Sequence, residues 1–426
     1  MGVFQCPLPC NNNKLKNDPD QSHDSNHVHP HSDTSSGSSS LHSQPSLPSV
    51  PSLTPHEKPA SSHTSLLATL KGHSAYVSSL SLAGKHLYSG SSDGEIRVWN
   101  RIPPTSDVSS SVILHNVVAQ GSSGVKSIVI LGNRLFTAHH DHKIRVWKID
   151  QYENNDKHYK CIATLPTLND RCSRFFSAKN YVQVRRHKKC TWVHHVDAIS
   201  ALALSKDGSF LYSVSWDRTL KMWRTSDYKC LESIWNAHDD AINAIALPND
   251  GFIYTGSADR KIKVWKKYQG DKKHSLVATL EKHKSAVNAL ALSTDGSVLY
   301  SGACDRSIIV WVKDGGNAHM VVSGALRGHT KAILCLTVVS DLVFSGSADK
   351  TVRVWKRGLG KSYSCLAVLE GHKGPVKCLT SAAEEDGKSH VTGDCDSSTG
   401  RKSSFLVYSG SLDRDLRIWN VWVQPN

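Results

Sequence analysis

The hydrophobic pattern of this chain repeats seven times. In residues 254–265 (YTGSADRKIKVW), apolar and small residues alternate up to a polar turn, and basic and apolar residues alternate after it. Alternation with period two on both sides of a turn predicts two short, half-buried strands. The same pattern recurs at 88–99, 136–147, 212–223, 300–311, 344–355 and 408–419. In every copy a Ser or Thr stands four residues before an Asp and a Trp stands six after it, which identifies an internal repeat.

A second pattern precedes most copies of the first. A hydrophobic run ends in Gly-His or X-His, and a strand of small apolar residues follows. It occurs at 67–82, 277–292, 325–338 and 367–380, with looser versions at 194–204 and 236–247. Each repeat unit therefore supplies four short strands, together with a His, a Ser or Thr, an Asp and a Trp. This combination resembles the WD40 repeat, which forms one four-stranded blade of a β-propeller.

The resemblance covers residues 65–421, although none of the seven Trp residues is followed by Asp. It implies an all-β fold, namely a seven-bladed WD40 β-propeller with a disordered N-terminal tail. It also implies a structural tetrad in each blade: the Trp N–H donates to the Ser or Thr, that hydroxyl donates to the His, and the other ring nitrogen of the His reaches the Asp. The matching tetrads are His73/Ser89/Asp93/Trp99, His195/Ser213/Asp217/Trp223, His238/Thr255/Asp259/Trp265, His283/Ser301/Asp305/Trp311, His329/Ser345/Asp349/Trp355 and His372/Ser409/Asp413/Trp419.

The second repeat departs from this pattern. Thr137, Asp141 and Trp147 are present, but Gly121 stands where the His is expected. We therefore expect this blade to satisfy its buried polar groups with water or another partner.

The chain offers no convincing chemistry for catalysis. A Ser-His-Asp set is typical of hydrolases, but here it occurs six times with a Trp attached, which favours a structural role. The sequence contains no P-loop, dinucleotide fingerprint or Cys/His metal spacing. The chain is therefore predicted not to be an enzyme, with no catalytic residues, no cofactor and no metal.

The regions outside the repeats differ in composition. Residues 1–64 form a Ser/Pro/His-rich segment, predicted to be a disordered tail because it has too few apolar residues to bury. Its run 45–55 (PSLPSVPSLTP) favours polyproline II and is either a spacer or a ligand for a groove. SLLATL (65–70) is predicted to close the last blade of the 65–421 propeller, and 422–426 to form a C-terminal tail. Two inserts, at about 167–193 and 381–404, interrupt the repeats.

Charge and cysteine content indicate the class of partner and the cellular compartment. The net charge of +14 attracts acidic protein segments, nucleic acid or anionic membranes, but no nucleic-acid module is present. Eleven Cys without a CxxC pair, and the lack of a signal-like segment, favour a reducing intracellular compartment. No apolar run is long enough to span a membrane. We therefore expect a monomer in cytoplasm and nucleus, with RRHKK (185–189) as either an import signal or a solvated basic strand.

The resemblance also implies a partner-binding face. In WD40 proteins, partners typically contact the positions three and five residues after the repeat His and the position before the repeat Asp. The carried-over positions chosen here are Tyr76, Lys126, His140, Trp216, Asn243, Asn288, Leu334, Lys377 and Leu412. Trp216 is either an aromatic anchor for a partner or a packing contact for a neighbouring loop such as the 167–193 insert. Basic residues that follow the repeat Asp could form a rim for acidic partners: Arg218, Arg260, Arg306, Lys350 and Arg414.

These features predict a non-enzymatic scaffold for protein–protein interaction. CIATLPT (161–167) together with KNYVQVRRHKKC resembles the plant Jingubang-like WD40 subfamily. That resemblance implies binding of a transcription factor in the control of pollen germination. Two other functions remain open, a substrate receptor of a cullin-type ubiquitin ligase and an RNA-binding propeller. The first is disfavoured because no repeat carries a Trp-Asp-x-Arg box, and the second would show a steep salt dependence.

Overall fold

The computed structural model describes residues 50–54, 62–101, 116–151, 157–175, 181–185, 188–314, 319–358, 362–384 and 403–423. Its strands form seven four-stranded antiparallel sheets and one separate hairpin. The predicted all-β, seven-bladed propeller is confirmed.

The first strand, β1 (Ser62–Leu70), belongs to the last blade. Blade 1 contains β2 (Val77–Ala83), β3 (His86–Ser91), β4 (Glu95–Asn100) and β5 (Val117–Gln120). Blade 2 contains β6 (Val125–Leu131), β7 (Arg134–His139), β8 (Ile144–Gln151) and β9 (Lys157–Leu165). The first insert follows with α1 (Leu168–Phe175), β10 (Tyr181–Arg185) and β11 (Lys188–Thr191).

The remaining blades follow in chain order. Blade 3 contains β12 (Ile199–Leu204), β13 (Phe210–Ser215), β14 (Leu220–Arg224) and β15 (Cys230–Ile234). Blade 4 contains β16 (Ile242–Ala246), β17 (Phe252–Ser257), β18 (Lys261–Lys266) and β19 (Ser275–Glu281). Blade 5 contains β20 (Val287–Leu292), β21 (Val298–Ala303), β22 (Ile308–Lys313) and β23 (Met320–Leu326). Blade 6 contains β24 (Ile333–Val339), β25 (Leu342–Ser347), β26 (Val352–Arg357) and β27 (Tyr363–Leu369). Blade 7 contains β28 (Val376–Ala383), β29 (Ser403–Ser411) and β30 (Leu416–Val423), with β1 as its outer strand.

The first strand of each blade lies innermost and packs on the first strands of both neighbouring blades. The contact between β2 and β28 closes the ring. Small residues on the second strand allow neighbouring blades to approach closely. A Cβ added to Gly302 would lie 2.4 Å from Cγ2 of Ile333, and one added to Gly346 would lie 2.7 Å from Cγ1 of Val376. The glycine of the repeated Ser-Gly pair therefore serves packing between blades, and the core is a series of hydrophobic clusters at these junctions.

The ring is fastened by its two ends, as predicted from SLLATL. Strand β1 pairs with β30 from Ser62 opposite Val423 to Leu70 opposite Leu416. This pairing gives β30 a partner on its outer edge, which would otherwise expose unpaired backbone groups. Two predicted boundaries are corrected, because β1 begins at Ser62 rather than at residue 65 and β30 continues to Val423 rather than to residue 421.

Part of the predicted tail also contacts the propeller. Residues 50–54 hydrogen bond to blades 5 and 6, and Val50 is buried. Disorder is therefore not what the structure shows for these five residues. The other residues of the predicted tail before Ser62, and residues 424–426, lie outside the described residues.

Both inserts are shorter than predicted. Strand β28 runs to Ala383 and β29 begins at Ser403, so the second insert is the connection 384–402 rather than 381–404. In the first insert, Trp192 and Val193 pack in the hydrophobic cluster between blades 2 and 3. These two residues therefore belong to the core, because the chain must descend into the ring to start β12.

Candidate interaction surface and buried tetrads

Five blades carry the tetrad in the predicted order. In blade 5, the Trp311 indole N–H donates to Ser301 Oγ at 2.8 Å. His283 Nε2 lies 2.8 Å from that hydroxyl and its Nδ1 lies 2.9 Å from Asp305 Oδ2. Three hydrogen bonds thus link four groups in a chain, from an indole through one hydroxyl and one imidazole to a carboxylate.

The same chain of contacts is present in blades 3, 4, 6 and 7. In each, the indole N–H donates to the hydroxyl at 2.8–3.0 Å, and His Nε2 lies 2.7–2.8 Å from the same oxygen. His Nδ1 lies 2.8–3.0 Å from the carboxylate of the Asp. The indole–hydroxyl pairs are Trp223 with Ser213, Trp265 with Thr255, Trp355 with Ser345 and Trp419 with Ser409, and the histidines are His195, His238, His329 and His372 in the same order.

These tetrad hydroxyls and indoles lie inside the blades and not on the interaction surface. The side chains of Ser213, Thr255 and Ser345 are 0% exposed. Trp265 is 5% exposed and Trp355 is 0% exposed. No partner or substrate can reach them in the folded chain, so their role is to hold the turns and strands of each blade together.

The hydrogen bonds assign the protons in each set. The Trp can only donate, so the Ser or Thr hydroxyl accepts from it and donates to His Nε2. The His proton is then on Nδ1, which donates to the Asp. Burial alone would raise the pKa of Asp413, but the hydrogen bond and charge interaction with His372 and the backbone amides lower it below its ordinary value. The carboxylate therefore stays ionised and keeps the order of the bonds fixed.

Blade 1 departs from the predicted tetrad. Trp99 and His73 bond to Ser89 as expected, but Asp93 Oδ2 accepts from Ser74 Oγ at 2.7 Å and from the N–H of Ala75 at 3.2 Å. The predicted bond from His73 to Asp93 is replaced by a 3.7 Å approach of His73 Nδ1 to Glu95 Oε2. Since His73 is desolvated, its pKa falls to about 4.

The three groups His73, Asp93 and Glu95 lie close enough together to be considered as metal ligands. The tautomer argues against that use, because Ser89 donates to Nε2 and leaves the proton on Nδ1. Arg97 also donates to Glu95 Oε2 at 2.9 Å and supplies positive charge there already. This cluster is therefore best explained as a variant of the tetrad.

Blade 2 replaces its missing His from an unexpected position. His139, at the end of β7, places Nε2 2.7 Å from Thr137 Oγ1, and Trp147 Nε1 donates to the same hydroxyl at 3.0 Å. His139 Nδ1 donates to the carbonyl of Ser123 at 2.9 Å. A Cβ at Gly121 would lie 2.8 Å from Cε1 of His139, so the glycine makes room for this ring. Asp141 pairs instead with Arg145, at 2.6 Å.

The repeat pattern did not predict His139, because it places the histidine of each tetrad in the loop before the first strand. The signal was present: His139 lies two residues after Thr137, where the other six copies carry Ser or Ala. In an extended strand, residues two apart point to the same face, so a His there can reach the Thr hydroxyl.

The predicted partner-binding residues fall into three groups. We call the face that carries the turns between the second and third strands the top face. Two members, Asn243 and Asn288, hydrogen bond within the ring. Asn243 Nδ2 donates to the carbonyl of Val287 at 3.0 Å, and Asn288 Nδ2 to that of Ile333 at 2.9 Å. Each amide therefore links its blade to the next one, which is a structural role.

Trp216 belongs to a cluster of three predicted residues on the top face. Lys126 Nζ lies 4.5 Å from the centre of the Trp216 ring, and His140 packs edge-on at 6.1 Å and 83°. Trp216 is partly buried and His140 is exposed. A cation over an indole face is held by the ring quadrupole, so this cluster is preorganised. We call these three residues the Trp216 cluster.

The other predicted residues occupy the remaining arc of the top face. Leu334 and Lys377 occupy the second positions of β24 and β28, and Tyr76 directly precedes β2. Leu412 is 41% exposed, which makes it one of the largest apolar groups in contact with solvent on this face. The structure therefore does not gather all nine predicted residues at one point.

The predicted basic rim follows from backbone geometry. The residue after the repeat Asp has a positive φ of 66° to 76° in five blades, which aims an exposed cationic side chain outward from each turn. The members are Arg218, Arg260, Arg306, Lys350 and Arg414. Residues without β-branching tolerate this conformation better than β-branched ones.

Helix α1 contacts blade 3 at β15. The carboxylate of Asp170 in α1 accepts a 2.9 Å hydrogen bond from the N–H of Cys230. Cys230 begins β15 and pairs with Trp223, at the end of β14 that is remote from the Trp216 turn. The start of the helix therefore lies against the outer strand of blade 3.

The geometry defines a WD40-type propeller, and comparison with known families agrees. The model described as "WD domain, G-beta repeat" matches residues 64–100, 187–224, 228–266, 274–312, 320–356 and 363–420. The chain belongs to this family. The matched ranges leave out blade 2, whose tetrad is the one rebuilt around His139.

Curated relatives are distant and partial matches. Autophagy-related protein 16 of Arabidopsis thaliana is 26% identical over 198 residues, covering 45% of this chain and 36% of that protein. ROOT INITIATION DEFECTIVE 3 of the same plant is 29% identical over 202 residues, covering 43% of this chain and 45% of the relative. Small ribosomal subunit protein RACK1 of Drosophila melanogaster is 26% identical over 171 residues, covering 38% and 52%. The chain thus spans less than two thirds of these relatives.

Within the described residues, no helix has the length and apolarity needed to cross a bilayer.

Proposed function

We propose that this protein is a non-enzymatic scaffold that binds a protein partner on its top face around the Trp216 cluster. WD40 propellers typically serve as interaction folds, and the family assignment supports that class here. The observation that carries the proposal is the indole of Trp216, held between Lys126 and His140 yet partly open to solvent. Aromatic side chains fixed in this way are typical anchors of interfaces.

The chemistry of the surroundings favours a short, partly acidic partner segment. The basic rim surrounds the face that holds the cluster, and opposite charge on a partner would speed its association. Following the subfamily resemblance of residues 161–167 and 179–190, we propose a transcription factor in plant reproductive development as the partner. Binding in cytoplasm and nucleus by a monomeric chain completes this proposal.

The test is affinity purification of the full-length chain and of Trp216→Ala, with bound proteins measured by quantitative mass spectrometry. Tyr268→Ala is the matched control, because Tyr268 is an aromatic residue 51% exposed in the turn between β18 and β19, at the end of blade 4 opposite the top face. We expect a direct partner to bind Trp216→Ala at least about tenfold more weakly and Tyr268→Ala unchanged. Equal binding to all three chains would place the site elsewhere.

Charge variants separate steering from anchoring. Replacing Arg260 and Arg306 by Gln should slow association and flatten its salt dependence, with little change in dissociation. RNA recovered in place of protein, with affinity falling steeply as salt rises, would favour the RNA-binding alternative.

A further inference from the structure

Residues 50–54 lie along the outer edge of blade 5, joined to it by one parallel β-bridge. Ser52 is bridged to Ala325 of β23. The N–H of Leu53 donates to the carbonyl of Ala325 at 3.0 Å, and the N–H of Ala325 donates to the carbonyl of Pro51 at 2.9 Å. A proline fits at this position because only its carbonyl is used, and it has no N–H to leave unpaired.

The segment also joins blade 5 to blade 6. The carbonyl of Leu53 accepts from the N–H of Tyr363, the first residue of β27, at 3.0 Å. The guanidinium of Arg327 donates to the carbonyl of Val50 at 2.6 Å. Every one of these bonds uses the backbone of the segment, which is how an extended peptide is recognised at a sheet edge.

Two side chains of the segment enter the propeller. Val50 is 4% exposed and belongs to the hydrophobic cluster that includes Trp311 and Met320. Leu53 packs on the next cluster, beside Leu326 and Tyr363. The two apolar residues are three apart and point inward, while Pro51 and Ser52 between them are exposed. A spacing of three is the period of the polyproline II helix that Pro-rich sequence favours.

Blade 5 carries a residue that makes room for the segment. Gly324 pairs with Val310, the residue before the repeat Trp. A Cβ on Gly324 would lie 2.4 Å from Cγ of Leu53 and 2.9 Å from the carbonyl oxygen of Pro51. In four other blades the residue in the equivalent pairing is alanine: Ala68, Ala163, Ala278 and Ala367. Alanine is thus compatible with the blade, and glycine at 324 is explained by the docked segment.

We propose that the edges of blades 5 and 6 form a second peptide-binding site, separate from the top face, that recognises an extended segment of pattern aliphatic–Pro–Ser–Leu. Residues 50–54 fill it in the free protein, and a partner segment of the same pattern binds by replacing them. Residues 50–54 are connected to β1 through residues 55–61, so their effective concentration at the site is on the order of millimolar. A competing segment therefore binds only after residues 50–54 have dissociated from the site.

The experiment uses full-length chains and a fluorescent peptide of residues 48–55, PSVPSLTP. In Val50→Asp/Leu53→Asp the site is vacated, and we expect saturable binding of the peptide by anisotropy. Binding should be at least about tenfold weaker to the wild-type chain, where the tether competes, and to the triple variant that adds Gly324→Ala. A peptide carrying the two Asp substitutions is the control. The proposal is overturned if the double variant does not bind, or if all three chains bind alike.

A second measurement covers the case in which the double variant does not fold. Gly324→Ala alone introduces the residue that four other blades carry at the equivalent pairing, yet it should displace residues 50–54. Hydrogen exchange at the amides of Ala325 and Tyr363 should then be at least about tenfold faster, because their acceptors are Pro51 and Leu53. Unchanged exchange at both amides would refute the docking site.

Discussion

Removing the His139 side chain tests how blade 2 compensates for Gly121. In His139→Ala, the hydroxyl of Thr137 loses its acceptor in buried surroundings, and the carbonyl of Ser123 loses its donor in partly buried surroundings. A stranded group costs about 1–3 kcal/mol when it is buried and less when water can reach it, so we expect the free energy of unfolding to fall by about 2–4 kcal/mol. Reversible urea denaturation followed by tryptophan fluorescence measures this loss.

Acid provides a second and more specific readout of the same residue. Burial lowers the pKa of His139 from 6.5 to about 4, and the donor required by the Ser123 carbonyl only partly opposes this. Above pH 6.5 the ring is neutral in the folded and unfolded states, so the contribution of His139 to the free energy of unfolding is fully present. As pH falls from about 6.5 to about 4, the unfolded state takes up the proton first. The free energy of unfolding at pH 5 is therefore about 2 kcal/mol lower than above pH 6.5.

His139→Gln removes this titration, so its loss of stability between pH 7.5 and 5 should be smaller than that of the wild type by about 2 kcal/mol. His140→Gln is the matched control, because it removes a neighbouring histidine that is exposed. The proposed role of His139 in blade 2 is refuted if His139→Gln and the wild type lose stability equally over this range, or if His139→Ala costs less than about 0.5 kcal/mol.

Three further outcomes follow from the structure. Deletion of 1–49 should leave the melting temperature unchanged, whereas deletion of 1–61 should lower it because Val50 and Leu53 are lost. Deletion of 1–71 should lower it most, because β1 no longer covers β30. Equal melting temperatures of the last two variants would contradict closure of the ring by β1. Ser409→Ala should lower the free energy of unfolding measured in urea by about 2–4 kcal/mol, since the Trp419 indole and His372 Nε2 both lose the Ser409 hydroxyl, and a loss below about 0.5 kcal/mol would contradict this. Asn288→Ala should lower stability by about 1 kcal/mol without changing partner affinity; weaker binding at full folding would return Asn288 to the interface.

The blade architecture could be predicted from residues that are close in the sequence. The Ser or Thr, Asp and Trp of each copy lie within ten residues and alternate along two strands joined by a turn. Recurrence of such a unit requires a ring of like blades, because no single unit buries its own hydrophobic face. Five tetrads, the closure by β1 and the exposed cations after the repeat Asp all follow from this local pattern.

The candidate site could be predicted only in part. The position of Trp216 on the top face follows from the repeat, but its contacts with Lys126 and His140 of the preceding blade do not. Asn243 and Asn288 occupy equally plausible positions for binding, yet their amides reach the carbonyls of the next blade. A pattern places a residue on a face, whereas its hydrogen-bond partner depends on how two blades pack.

By itself the sequence determined the class of fold, the number of blades, and the polar tetrads of blades 3 to 7. Tertiary structure alone decided that His139 replaces the missing histidine, that α1 packs beside β15, and that residues 50–54 dock beside Gly324. The docked segment shows the physical reason most clearly. Pro51 and Leu53 are joined to Ala325 by backbone hydrogen bonds across more than half of the chain. Backbone groups are nearly the same in every residue, so hydrophobic periodicity does not indicate which sheet edge a segment will pair with.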